Sequence, residues 1–263
     1  MKDIKNFYKD IKVILFDLDG TIYLGDKLIG DMKNTLSHLR EKGVKVVFVS
    51  NNSSRTPDEY EEKYKNIGIF DERDFSYSSL DCALNYLQKN EKGKKVYAFA
   101  NEKVKKYLLN NGVNLTEDAE ILLLTFSLEA NYSQIQFVDE LLKKGVKYIA
   151  THPDKVCPTL DGSIPDLGAF IELFKASSGR VPDVIIGKPN TFMIDELIEK
   201  FKVQKHQVLM VGDRLYTDIA FGVNAGVRTA LVLSGETTLS MANESEVKPD
   251  VILKDANELK KYI

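Results

Sequence analysis

Val13-Ile14-Leu15-Phe16 is a run of four apolar residues that ends abruptly in Asp17-Leu18-Asp19-Gly20-Thr21. Because every residue is apolar, and not every second one, the run predicts a short strand buried on both faces, as in a parallel sheet covered by helices. Ligand sites in open α/β sheets lie just beyond the carboxyl ends of such strands. Asp17 and Asp19 are therefore predicted to stand where the sheet presents its chemistry. The competing explanation is a polar Asp-Gly turn with no further role, and three later stretches argue against it.

Beyond Thr21, apolar residues flank Gly25-Asp26, which predicts a small hairpin over 22–29. Asp31 is expected to cap a helix over 32–42, with Leu36 and Leu39 facing inward and Gly43 ending it. Lys45 to Val49 is the next buried strand and runs into Ser50-Asn51-Asn52-Ser53, after which Thr56-Pro57 opens a helix to about residue 67. Strand–helix alternation of this kind predicts a parallel sheet with right-handed crossovers. From about residue 79 the pattern restarts, with helices near 79–90, 102–111, 133–144 and Leu167–Ala176 and strands near 95–100, 121–126 and 147–151. The block is long enough for a small α/β domain with its own core.

Pro182 to Ile186 then reads as a strand of the first domain, ending in Gly187-Lys188-Pro189. A helix over 191–202 follows, then the strand Gln207–Val211, which ends in Gly212-Asp213-Arg214. A helix over 215–225, the strands Arg228–Leu233 and Asp250–Leu253 and a terminal helix complete the chain. The expected fold is α/β: a doubly wound parallel-sheet core, residues 1–78 plus 179–263, with a smaller α/β domain, 79–178, inserted in it.

Composition narrows the class. A net charge of −3 gives no general affinity for nucleic acid or an anionic membrane. No apolar run approaches the roughly 20 residues that span a bilayer, and Met1 to Asp10 is charged, without the apolar core of a secretion signal. Cys82 and Cys157 lie far apart in the sequence, which fits free thiols in a reducing cytoplasm.

Four strand ends thus carry polar groups: Asp17 and Asp19; Ser50 with Asn51 and Asn52; Lys188; and Asp213 with Asp218. In a parallel sheet such ends share one edge, so the groups can converge. Carboxylate oxygens suit a hard cation such as Mg²⁺ and not zinc. A lysine, a serine and exposed backbone N–H groups suit a dianionic phosphate. A carboxylate can act as covalent nucleophile, and a second one nearby as general acid and base.

In order, Asp-Leu-Asp-Gly-Thr, Ser-Asn-Asn, Gly-Lys-Pro and Gly-Asp-Arg-Leu-Tyr-Thr-Asp resemble the haloacid dehalogenase-like (HAD) superfamily. The finer wording of Phe48–Ser53, Ile186–Pro189 and Gly212–Asp218 resembles its NagD-type, 4-nitrophenylphosphatase-like branch. The resemblance implies a Rossmann-like HAD core with the inserted block as an α/β cap that selects substrate. It implies Asp17 as nucleophile and Mg²⁺ ligand, and Asp19 as general acid/base with its backbone carbonyl on the metal. Asp213 would complete the metal site and Asp218 support it. Ser50, the backbone at Asn51, and Asn52 would hold the phosphate, and Lys188 would neutralise its charge.

The segment Thr151-His152-Pro153-Asp154 resembles the branch's Thr-Asn-x-Asp in the cap, so His152 and Asp154 are candidate leaving-group contacts. Cys157 stands where the pyridoxal-phosphate phosphatases carry a histidine, which argues against that substrate. The implied activity is Mg²⁺-dependent hydrolysis of a small phosphorylated metabolite such as a sugar phosphate, nucleotide or phosphoglycolate. Association of two copies through the cap is expected, with no nucleic-acid or membrane partner. The alternatives are a phosphotransferase or mutase, and a non-catalytic binding protein of the same fold.

Overall fold

The computed structural model describes residues 7–159 and 162–263. They form two compact units: one takes the chain up to Ser50, Tyr60–Tyr77 and Lys188–Ile263, the other Asn51–Glu59 and Ser78–Gly187.

The first unit is built on a six-stranded sheet in the order Val251–Leu253, Arg228–Val232, Val208–Gly212, Val13–Phe16, Lys45–Ser50, Phe75–Ser78. The Val13–Phe16 strand pairs in parallel with Lys45–Ser50 on one side and Val208–Gly212 on the other, with Phe16 beside both Phe48 and Val211. All four of its residues are buried, as the unbroken apolar run requires. From this strand the chain order moves outward in both directions, so a topological switch point lies between Val13–Phe16 and Val208–Gly212. In open α/β sheets that is where ligands bind, and Asp17 and Asp213 follow the two strands that flank it.

Helices supply the cover. Met32–Glu41 buries Met32, Thr35, Leu36 and Leu39, a spacing that puts them on one helical face. Asp31 does not cap this helix through its side chain. Its carboxylate instead accepts from Asn34 Nδ2 and pairs with Lys260 Nζ, both at 2.8 Å. Phe75–Ser78, to which the sequence pattern assigns no element, is the outer strand of the sheet. Its FSYS composition is too short and too polar to show a period.

The second unit has its own parallel sheet, ordered Val184–Ile185, Lys147–Ala150, Ile121–Leu124, Lys95–Phe99, Asn114–Leu115. Helices Ser79–Asn90, Glu102–Asn110, Tyr132–Lys143 and Leu167–Ser178 connect its strands. Its core includes Phe99, Leu122, Leu124, Leu142, Tyr148 and Phe174. Two expectations are corrected here. Val184–Ile185 hydrogen-bonds to Lys147–Ala150, so it closes this sheet and does not return to the first. The unit accordingly ends at Gly187, past the expected boundary of 178, where the helix Leu167–Ser178 ends with Gly179 left-handed. Val156–Thr159 and Gly162–Pro165, to which the sequence analysis gives no element, pair as antiparallel strands. Among the described residues no helix is long and apolar enough to cross a membrane.

Candidate active site

The strand Val13–Phe16 delivers Asp17 to the switch point, where its N–H donates to Val211 O at 2.9 Å. The chain then turns sharply: the Leu18 carbonyl accepts from the N–H groups of Thr21, Ile22 and Tyr23. Gly20 makes the turn possible in two ways. Its φ of +86° is a left-handed conformation that side chains disfavour, and a Cβ there would overlap the Asp213 carboxylate. Val208–Gly212 delivers Asp213 from the neighbouring strand. One turn of π-helix, Leu215–Ile219, follows, with Ile219 N–H reaching back five residues to Arg214 O at 3.1 Å. Single π turns of this kind concentrate at functional sites, and here the turn folds Asp218 back beneath the strand end. Gly212 is needed for this, because a Cβ would overlap the Asp218 side chain.

The result is a buried carboxylate cluster. Oxygens of Asp17, Asp213 and Asp218 lie within 4.8 Å of one another. Lys188 Nζ bridges Asp17 Oδ1 and Asp218 Oδ1, at 2.6 Å each, and its side chain is only 3% exposed. Asp218 Oδ2 also accepts from Arg214 N–H at 3.1 Å. Lys188 was expected to come from a strand end of the same sheet. It arrives from the second sheet's last strand, yet belongs to the first compact unit. Asp19 is exposed and lies outside the carboxylate cluster, a position suited to exchange protons with solvent.

Electrostatics follow from burial. Desolvation lifts Asp17 well above the usual carboxylate range and Asp218 adds to it; Lys188 pulls the other way and Asp213 raises it further. Asp213 is pushed up to about 7 by burial and by Asp218, against the Glu236 N–H, Arg214 and Lys188, which hold it down. For Lys188, burial opposes the charge, but Asp17 and Asp218 overcome it and hold the ammonium above the ordinary lysine range.

One atom of the cluster is unsatisfied. Asp213 Oδ2 accepts from Glu236 N–H at 2.7 Å, whereas its buried Oδ1 has no hydrogen-bond partner among the described residues. A buried carboxylate oxygen without a partner is costly. With all three carboxylates ionised, the one ammonium also leaves the cluster net negative. Both features fit a hard divalent cation bound by oxygen atoms.

The loop carrying Glu236 escaped the sequence reading. It follows the buried strand Arg228–Val232 with Ser234-Gly235-Glu236. Ser234 Oγ donates to Gly20 O at 2.7 Å, and Arg214 Nε pairs with Glu236 Oε2 at 2.9 Å. Gly235 lies so close to Asp213 that a Cβ would overlap its carboxylate. The available signal was the same one that marked the other strand ends: a buried strand running into small and polar residues.

The remaining predicted residues fall in two places. Ser50 ends the strand Lys45–Ser50 at the same sheet edge as Asp17, since Phe48 pairs with Phe16. Asn51, Asn52, His152 and Asp154 belong to the second unit. Asn51 Nδ2 donates to both oxygens of Asp154, at 3.2 and 3.1 Å, and Asn51 O accepts from Ser79 Oγ at 2.5 Å. Asn52 Oδ1 accepts from Ser54 N–H and Oγ, a local turn. His152 has no exposed surface; its Nδ1 is 3.7 Å from Asp154 and its Nε2 3.6 Å from Asp166. This packing places His152 in the interior of the second unit, between two carboxylates.

Comparison with known proteins agrees with the geometry. Residues 14–114 match the profile of the haloacid dehalogenase-like hydrolases, and 185–259 match a second, HAD-hydrolase-like profile. The chain is 35% identical to phosphoglycolate phosphatase 1A of Arabidopsis thaliana, over 91% of this chain and 74% of that protein. It is 31% identical to the acid sugar phosphatase of Staphylococcus haemolyticus, over 95% of each. The crystal structure of a 4-nitrophenylphosphatase from Thermotoga maritima superposes with a TM-score of 0.93 at 37% identity, covering 97% of this chain and 98% of that one. With the switch-point carboxylates, the bridging lysine and the parallel-sheet fold all in place, the chain belongs to the haloacid dehalogenase-like hydrolases and is a phosphatase of their NagD, 4-nitrophenylphosphatase-like branch.

Proposed function

We propose that this phosphatase hydrolyses phosphomonoesters of small metabolites, of sugar-phosphate, nucleotide or phosphoglycolate type, with Mg²⁺ and through a phosphoryl group carried on Asp17. The observation that supports this reading best is the buried cluster of Asp17, Asp213 and Asp218 around Lys188, with one Asp213 oxygen unsatisfied. Phosphoglycolate and acid sugar phosphatases among the relatives favour a small anionic substrate.

In this reading a carboxylate oxygen of Asp17 attacks phosphorus. The bond from phosphorus to the substrate's alcohol oxygen breaks, and Asp19 gives that oxygen a proton. Water then attacks the acyl phosphate, Asp19 takes the water's proton, and the phosphorus–Asp17 bond breaks. Inorganic phosphate leaves and Asp17 is restored. Ser50, the Asn51 backbone, Asn52 and Lys188 hold the phosphoryl oxygens, while His152 and Asp154 act indirectly by fixing Asn51. Asp17, Asp213 and the Asp19 carbonyl, supported by Asp218, would hold Mg²⁺. Bound there, the ion supplies positive charge to the transferring phosphoryl group. The second unit serves as the substrate-selecting cap and as the contact between two copies, and the enzyme works in the cytoplasm.

The test is phosphate release from sugar phosphates, nucleoside monophosphates, phosphoglycolate and 4-nitrophenyl phosphate, with Mg²⁺ and after chelation. The expected result is release that requires Mg²⁺, with one substrate class preferred. Transfer of the phosphoryl group to an added alcohol in place of phosphate release would assign a phosphotransferase instead. Full activity after exhaustive chelation would remove the metal from the reading.

A further inference from the structure

We infer that Tyr60 is a positioning residue for phosphate binding, acting through the hydroxyl of Ser50. The inference rests on the phosphate-binding role proposed for Ser50. The helix Pro57–Asn66 buries two tyrosines one turn apart, Tyr60 and Tyr64, on the face that packs against Phe48 of the neighbouring strand. Their ring centroids are 6.0 Å apart, and Tyr64 lies 4.8 Å from the Phe48 ring. Each phenol reaches a serine. Tyr60 Oη donates to Ser50 Oγ at 3.1 Å, whereas Tyr64 Oη and Ser76 Oγ are also 3.1 Å apart, with either able to donate.

The two pairs are alike in burial and length but not in place. Ser76 lies within the outer strand Phe75–Ser78, whereas Ser50 is the last residue of the strand beside Val13–Phe16. A serine hydroxyl has one proton and two lone pairs, and it rotates to suit its partners. When Tyr60 donates to Ser50, it fills a lone pair and turns the Ser50 proton toward another acceptor. A hydroxyl that accepts one hydrogen bond also donates a stronger one, because bonds in a chain polarise each other. The chain Tyr60 to Ser50 to phosphoryl oxygen therefore sets the serine as a donor before substrate arrives. Such preorganisation strengthens binding of the phosphate without taking part in bond making.

The experiment compares Tyr60→Phe, Tyr64→Phe, Ser50→Ala and the double variant Ser50→Ala/Tyr60→Phe. It reads KM, kcat, inhibition by inorganic phosphate, and thermal melting. For Tyr60→Phe, KM and the phosphate inhibition constant are expected to rise together, about three- to tenfold, the usual worth of one hydrogen bond. Its kcat should stay within about twofold, on the same hydrogen-bond argument. Tyr64→Phe keeps the same packing and loses the same kind of hydroxyl, so its melting temperature should match that of Tyr60→Phe while its KM matches the wild type. In the Ser50→Ala background the Tyr60 change should add nothing.

An unchanged phosphate inhibition constant in Tyr60→Phe overturns the inference, as does an effect that adds in full to Ser50→Ala. Equal kinetic losses in Tyr60→Phe and Tyr64→Phe overturn it too, because they would mark a purely structural role. If Ser50→Ala itself leaves KM and phosphate inhibition unchanged, the proposed role of Ser50 fails and takes the inference with it. A rise for Ser50→Ala alone isolates the failure to Tyr60.

Discussion

Replacing Lys188 by methionine should lower kcat/KM by at least about a hundredfold, the scale seen when a single group aimed at developing charge is removed. It should also destabilise the protein. Methionine fills the space of the lysine stem, so the change removes charge and leaves no large cavity. What remains is Asp17 and Asp218, each deprived of a 2.6 Å partner, beside Asp213 in a buried site. Breaking one side of a buried ion pair costs on the order of 3–5 kcal/mol, because the surviving charge stays buried and unpaired.

The pH dependence separates this cause from general misfolding. Asp17 already sits well above the usual carboxylate range through burial and through Asp218 and Asp213, and Lys188 is what pulls it down. Without the lysine it rises further. A carboxyl whose folded value is raised holds its proton in the fold at a pH where the unfolded chain has released it. Between those two values stability therefore falls as pH rises. The melting deficit of Lys188→Met should be smaller at pH 5 than at pH 8, because Asp17, raised further without the lysine, is more readily neutral at the lower pH. Melting curves across that range measure it. A deficit independent of pH, or activity within tenfold of the wild type, would separate Lys188 from the charge of the cluster.

The site was more legible than the domain boundary, for a physical reason. Asp17 and Asp213 each follow an unbroken buried run, Val13–Phe16 and Val208–Val211, the pattern expected of a parallel strand buried on both faces. That pattern fixes which edge the polar residues occupy. It does not say which sheet a strand joins. Val184–Ile185 reads like any other short apolar strand, and its partner, Lys147–Ala150, is a choice made by tertiary pairing. Lys188 was therefore identified through its Gly-Lys-Pro setting, while the route by which it reaches Asp17 was misassigned.

Other gaps have local causes. The hairpin Val156–Thr159/Gly162–Pro165 contains two prolines and a glycine in eight strand residues, which hides its alternation. Asp31 has the composition of a cap, but Asn34 and Lys260, the latter more than two hundred residues away, compete for its carboxylate. The Thr151-His152-Pro153-Asp154 segment singles out His152 but does not show that it is buried. Its burial between Asp154 and Asp166 depends on the helix Leu167–Ser178, which brings Asp166 from beyond the hairpin. The sequence motif named Asp154 but could not show that its carboxylate faces Asn51.

In the absence of metal, Asp213→Asn should be at least as stable as the wild type at pH 8, although it loses the activity. Asp213 is raised from the ordinary carboxylate value to about 7. At about 1.4 kcal/mol per pKa unit, that rise corresponds to a few kcal/mol of stability lost once the group is ionised. The sign is again that of a raised acid: the cost is absent below the ordinary carboxylate range, grows as pH rises and is complete above about 7. Asparagine carries no charge and escapes it. Its oxygen can still accept from the Glu236 N–H, as Asp213 Oδ2 does. Its amide takes the place of the unsatisfied Oδ1 as a buried donor, returning about 1–3 kcal/mol of the gain. The net expectation is a metal-free melting temperature equal to the wild type at pH 5 and higher by a few degrees at pH 8, at roughly 2–4 °C per kcal/mol for a chain of this size. Adding Mg²⁺ should raise the wild-type melting temperature, more at pH 8 than at pH 6 because protons compete for the same carboxylates. The variant should show little or no such rise. A variant that melts below the wild type without metal at pH 8 would mean that Asp213 holds the fold together in its own right. A variant that keeps the full Mg²⁺ shift would mean that the ion binds elsewhere.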